Sequence, residues 1–197
     1  MIGRLSGRLV SKQPPWLLID VHGVGYEIEA PMSTVFRLPA AGEPVTLETH
    51  LVVREDAQLL FGFATAAEKA LFRALIRVSG IGPKVALAIL SGVSVEDFWG
   101  IVRSGDGGRL VKLPGIGKKT AERLLMEMRD KAGDASATDM ISMPVAGALA
   151  TPLMEARAAL EALGYKPAEV QRLTEAAYKE GMTVEQIVQE ALKRALR

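Results

Sequence analysis

Along residues 1–63, apolar and polar positions alternate or gather in short apolar runs, at Ile2–Val10, Trp16–Val21, Tyr26–Ala30, Val45–Val53 and Leu59–Phe63. A period of two puts successive side chains on opposite faces of a strand, so each run predicts a β-strand. Turn formers separate the runs: Pro14-Pro15, His22-Gly23-Val24-Gly25, the stretch from Pro39 to Pro44, and Glu55-Asp56-Ala57. Several short strands with no long helix predict a small barrel, because closure removes exposed strand edges. An OB-like barrel is expected, and an SH3-like barrel satisfies the same pattern.

The period changes at Thr65. Leu71, Leu75, Ile76 and Val78 recur at three- and four-residue spacing behind a Thr65-to-Glu68 capping box, which predicts helix. The middle segment, residues 64–132, is predicted to be all helix. Residues 133–152 are small, polar and aperiodic, and predict a flexible tether. Beyond it, Thr151-Pro152 supplies a cap and a first-turn proline ahead of Leu153, Ala156, Leu160 and Leu163, with Gly164 as the stop. Pro167 opens a second helix expected to run to Gly181, and Thr183 with Gln186 forms a second capping box ahead of a third. Residues 153–197 therefore predict a three-helix bundle of UBA-like size. The fold class is α+β and multidomain.

Composition adds exclusions. The chain has no cysteine, which removes disulfides, cysteine zinc sites and thiol nucleophiles. Neither a signal-peptide pattern at Met1–Leu5 nor a long uncharged apolar stretch is present, so the expected location is cytoplasmic, away from membranes. The net charge of +1 conceals an uneven distribution. Residues 1–63 carry 5 Lys/Arg against 7 Asp/Glu, or −2, whereas residues 64–132 carry 12 against 7, or +5. Residues 133–152 add 2 Asp, and residues 153–197 balance 7 against 7. A basic excess confined to one segment points toward nucleic acid.

That same segment holds an internal repeat. Val78-Ser79-Gly80-Ile81-Gly82-Pro83-Lys84-Val85-Ala86 returns 35 positions later as Leu113-Pro114-Gly115-Ile116-Gly117-Lys118-Lys119-Thr120-Ala121. In each copy an apolar-x-Gly-Ile-Gly turn opens a helix, which is the helix-hairpin-helix pattern. Gly80, Gly82, Gly115 and Gly117 allow a tight turn and let a phosphate reach the backbone amides. Ile81 and Ile116 point back to anchor the hairpin. The next helix offers its unpaired first amides and positive dipole end. Lys84, Lys118, Lys119 and Arg123 add charge that contacts backbone without reading bases. A Walker A loop does not fit Gly117-Lys118-Lys119-Thr120: Lys118 is not followed directly by Ser or Thr, and Lys112 stands where the first glycine is required.

The strand-rich start, the paired hairpins, the loose linker and the three-helix tail together resemble the RuvA family of Holliday-junction-binding subunits, over essentially the whole chain. The resemblance is sharpened by Met1-Ile2-Gly3-Arg4-Leu5-Ser6-Gly7, by Gly23-Val24-Gly25-Tyr26, by the stretch from Arg54 to Phe63, and by Ala162-Leu163-Gly164-Tyr165-Lys166. It implies a homotetramer, or an octamer of two, that holds four-way DNA open for branch migration in recombination and repair. It implies that Glu55 and Asp56 form an acidic pin at the crossover, where clustered carboxylates repel phosphates. It also implies that the tail docks on the hexameric ATPase RuvB through Leu160, Leu163, Tyr165 and Leu192, and that the resolvase RuvC is a further partner. Helical spacing of these leucines is equally the mark of a core. Neither cofactor, metal nor catalytic residue is expected. Glu55, Asp56 and His50 make only a weak metal set, and His22 and His50 read as barrel residues. A general DNA-binding adaptor without junction preference is the competing reading.

Overall fold

The computed structural model describes residues 1–134, 151–179 and 181–195. Two compact units divide the chain, Met1–Gly133 and Asp134–Arg197. Most of the expected tether, residues 135–150, lies outside the described residues.

The first unit opens with five strands, β1 (Arg4–Gln13), β2 (Trp16–Val21), β3 (Val24–Glu29), β4 (Pro44–Val53) and β5 (Gln58–Phe63), with a short helix α1 (Met32–Val35) between β3 and β4. They form a closed barrel in the order β1-β2-β3-β5-β4. Antiparallel β1–β4 pairing and a parallel β3–β5 pair at Glu29 and Phe61 close it. This Greek-key closure is that of an OB barrel. Alternation dictates the interior: Leu5 and Leu9, Leu17 and Ile19, and Val45 and Leu47 are all buried, each pair two or four positions apart. At Gly62 an added Cβ would come within 2.6 Å of Ile28 Cγ2, so only glycine lets β5 approach β3 there.

β5 is buried on both faces. Leu60 belongs to the barrel core, while Phe61 and Phe63 join the core of the helices that follow. Their rings lie 5.0 and 4.9 Å from that of Phe72 in α2 (Ala66–Leu75). The capping box at Thr65 and Glu68 is formed as expected. After α2 come α3 (Pro83–Gly92), α4 (Val95–Ser104), α5 (Gly107–Val111) and α6 (Lys118–Asp134). Helix α4 is capped by Ser94, whose hydroxyl accepts from the Asp97 amide, and ends at Gly105 with φ +72.

The second unit contains α7 (Pro152–Ala162), α8 (Pro167–Ala177) and α9 (Val184–Ala195) around Leu160, Val170, Leu173, Ala177 and Ala191. Gly164 follows α7 with φ +94, the left-handed turn its position predicts. The second capping box forms too, with the Thr183 amide donating to Gln186 Oε1 at 3.0 Å and the Gln186 amide to Thr183 Oγ1 at 3.4 Å. Two details differ from expectation. Thr151 occupies the N-cap, but its side chain makes no capping bond. Helix α8 stops at Ala177, before Gly181, because Tyr178 is extended at φ −66 and ψ 134.

Candidate nucleic-acid interface

The repeat in sequence is a repeat in hydrogen bonding. In the first copy the Val78 amide donates to the Leu75 carbonyl at 3.0 Å, the Ile81 amide to Val78 at 3.0 Å and the Ala86 amide to Gly82 at 3.0 Å. In the second, Leu113 donates to Leu110 at 3.0 Å, Ile116 to Leu113 at 3.2 Å and Ala121 to Gly117 at 2.9 Å. Gly80 and Gly115 take φ of +88 and +81, conformations that side-chain-bearing residues adopt only under strain. Ile81 and Ile116 are buried at 4% and 5% exposure and anchor both turns in the helical core. The first turn of a helix lacks intrahelical acceptors for its amides, so α3 and α6 each present donors and the positive dipole end beside an exposed glycine turn.

The two hairpins pack on each other. A Cβ at Gly115 would lie 3.3 Å from Val85 Cγ2 in α3, and one at Gly92, the last residue of α3, 2.7 Å from Leu113 Cδ2. Lys84, Lys118 and Lys119 are exposed beside the turns. Arg123 is exposed as well, but its Nη1 donates to the Ser79 carbonyl at 3.5 Å, which sets it on the seam between the hairpins.

One neighbour of Lys84 has no signal in the sequence. Glu29, at the end of β3, lines a cleft with Lys84, Trp16 and Leu87. Burial pushes the Glu29 carboxyl above the usual carboxylate value, and the Lys84 charge pulls it partly back. A carboxylate there would compete with a phosphate for the lysine. Glu29→Gln is therefore expected to tighten DNA binding. At about 0.3 kcal/mol per contact, the gain is somewhat under twofold for each subunit that engages DNA. The gain should shrink as pH falls and Glu29 protonates in the parent chain. Junction titrations of both proteins at neutral and mildly acidic pH check this, and equal affinities at neutral pH would remove Glu29 from the interface.

Glu55 and Asp56 are exposed in the turn between β4 and β5, which the Arg54 amide closes by donating to the Ala57 carbonyl at 2.8 Å. His50 lies in β4 with its ring 5.8 Å from Phe72. Burial, then the charges of Arg73, Lys69 and Arg77, hold its pKa below the usual imidazole value. Among the described residues no group of three or more His, Cys, Asp or Glu is placed to hold a metal ion. No single described helix is long and apolar enough to cross a membrane.

The tail residues separate. Leu160 is fully buried in the bundle core. Leu163 is 62% exposed. Tyr165 and Leu192 pack partly buried against the same core.

Residues 1–62 match the family described as RuvA N terminal domain, residues 72–130 the SAM-like helix-hairpin-helix tandem, and residues 151–196 the RuvA C-terminal domain. The Thioalkalivibrio sulfidiphilus protein named Holliday junction branch migration complex subunit RuvA is 54% identical over 201 residues, covering 100% of both chains. The chain belongs to the RuvA family. Relatives of the same name from Stutzerimonas stutzeri and Stenotrophomonas maltophilia are 50% and 51% identical, over 98% and 100% of each chain. With RuvA relatives matching end to end, the barrel, hairpins and tail are parts of one family architecture.

Proposed function

We propose that this chain binds four-way (Holliday) DNA junctions without sequence preference, holds them open, and recruits the RuvB ATPase for branch migration in recombination and repair. The observation that carries the reading is the hydrogen-bonded repeat. Two glycine turns, each opening a helix and flanked by exposed lysine, give one subunit two phosphate grips side by side. Gly80, Gly82 and Lys84 form the first grip, and Gly115, Gly117, Lys118 and Lys119 the second. Arg123 joins them at the seam.

A homotetramer places four such pairs on four arms, and a second tetramer on the opposite face makes an octamer. Glu55 and Asp56 from each subunit gather eight carboxylates at the crossover. Their repulsion of phosphate keeps strands from settling there and passes them to the neighbouring arm. The subunit itself is non-catalytic, with the ATP-driven work done by RuvB. RuvC, which cleaves such junctions, is a further partner. Leu163 and the neighbouring Tyr165 offer the tail's contact to RuvB, with Leu192 behind them and Leu160 as internal support.

The test is a gel-shift titration of an immobile four-way junction against linear duplex of the same arms, at fixed salt and without metal. A junction preference of about a hundredfold, roughly 2.7 kcal/mol, is expected. Equal binding would leave the hairpins as phosphate grips of a general DNA adaptor.

A further inference from the structure

Glu68 and Lys69 are successive residues in the first turn of α2, and successive helix positions project about 100° apart. They reach different parts of the barrel. The Glu68 carboxylate, 4% exposed, accepts from Ser33 Oγ at 2.8 Å and Thr34 Oγ1 at 3.2 Å in α1. It also accepts from the Ala64 and Thr65 amides at 3.1 and 3.2 Å in the connection from β5. On the other side, Lys69 Nζ donates to the Gly3 carbonyl at 2.7 Å and to Glu48 Oε2 at 3.1 Å in β4. Arg4 of β1 holds the other oxygen of Glu48 at 2.7 Å.

Adhesion alone does not call for this arrangement. Phe61, Phe63 and Phe72 already join barrel to helices, and a buried ion pair is frequently no more stabilising than apolar residues in its place. Apolar contact is, however, non-directional, whereas two charge-assisted networks on adjacent residues fix an angle. The clamp sits between the two parts that meet DNA. From Glu48, β4 runs on to the Glu55-Asp56 turn, and from Lys69, α2 runs on to the first hairpin.

We infer that Glu68, Lys69 and Glu48 are positioning residues that set the hairpins at a fixed reach from the acidic turn, and thereby set the preference for four-way over linear DNA. The inference rests on the junction-binding reading above.

The test uses the full chain carrying Glu68→Gln and Lys69→Met together, with Lys69→Arg as the conservative variant. The chain has no cysteine, so Gln58→Cys and Ser104→Cys place one spin label on the barrel and one on the helices, in labelled subunits diluted into unlabelled ones. The double variant is expected to bind linear duplex within about twofold of the parent, to lose at least tenfold of its junction preference, and to broaden the label distance. Lys69→Arg should retain both preference and width. Unchanged preference, whatever the label width, overturns the inference, as does lost preference with unchanged width. If the double variant does not fold by circular dichroism, Glu48→Gln alone, which keeps the side-chain shape, is judged by the same two readouts. A parent chain without junction preference would instead sink the functional reading, and the inference with it.

Discussion

Replacing Lys84, Lys118 and Lys119 together with alanine is expected to lower junction affinity by about three orders of magnitude or more, with the fold intact. All three are exposed, so their removal leaves no cavity. Each phosphate that a lysine no longer neutralises takes about 0.9 off the slope of log affinity against log salt. Three lysines in each subunit of the proposed tetramer amount to about twelve phosphates, so the slope should fall by about eleven if every lysine touches one. Even at about 0.4 kcal/mol for each lysine–phosphate pair, twelve pairs exceed 4 kcal/mol, roughly a thousandfold. Because these groups are proposed to meet backbone, the loss should be the same for junctions of unrelated sequence. Titrations over a range of salt with two such junctions measure both quantities. A loss confined to one sequence, or an unchanged slope, would show that the lysines do not grip phosphate.

How much of this was visible in the residues depends on the range of the interaction. The hairpins were legible because their requirements are local: a positive φ at Gly80 and Gly115, an apolar anchor one residue on, a cation just after. The repeat made the signal specific, and the structure returns it bond for bond. The barrel was legible as strands by alternation, but not in its closure. A single parallel pair between Glu29 and Phe61 decides the topology, and no pattern within β3 or β5 encodes a partner.

Long-range electrostatics left no trace at all. Glu29 beside Lys84, and Glu48 between Arg4 and Lys69, are ordinary surface residues until the chain folds. The run Leu60-Phe61-Gly62-Phe63 did carry information that alternation obscures. A continuous apolar stretch belongs to a strand covered on both faces, here by the barrel interior and by α2. In the tail, Leu160 and Leu163 have the same residue type at helical spacing, yet one is buried and the other 62% exposed. Periodicity marks a face, but Leu163 lies past the end of α7, where the face no longer applies.

Deleting residues 147–197 is expected to leave junction affinity within about twofold and to abolish stimulation of the RuvB motor. The expectation follows from how the cores divide. Among the described residues, the two clusters of the first unit draw only on residues of that unit, and the tail cluster draws only on its own helices and their connections. All the proposed phosphate grips lie in the first unit. The truncated chain therefore keeps its DNA surface. Within the intact chain, Leu163→Asp should reproduce the motor defect alone, since an exposed side chain can be replaced without opening a cavity. Leu160→Ala should instead unfold the bundle, because truncating a fully buried leucine costs about 2–5 kcal/mol and the core around it is small. The checks are junction titration, ATP-dependent branch migration with RuvB, and thermal denaturation of each variant. A truncation that destroys junction binding would place part of the DNA interface in the tail. A Leu163→Asp chain that still drives the motor would move the contact to another face of the bundle, with Met154 and Tyr178 the next exposed apolar positions to test.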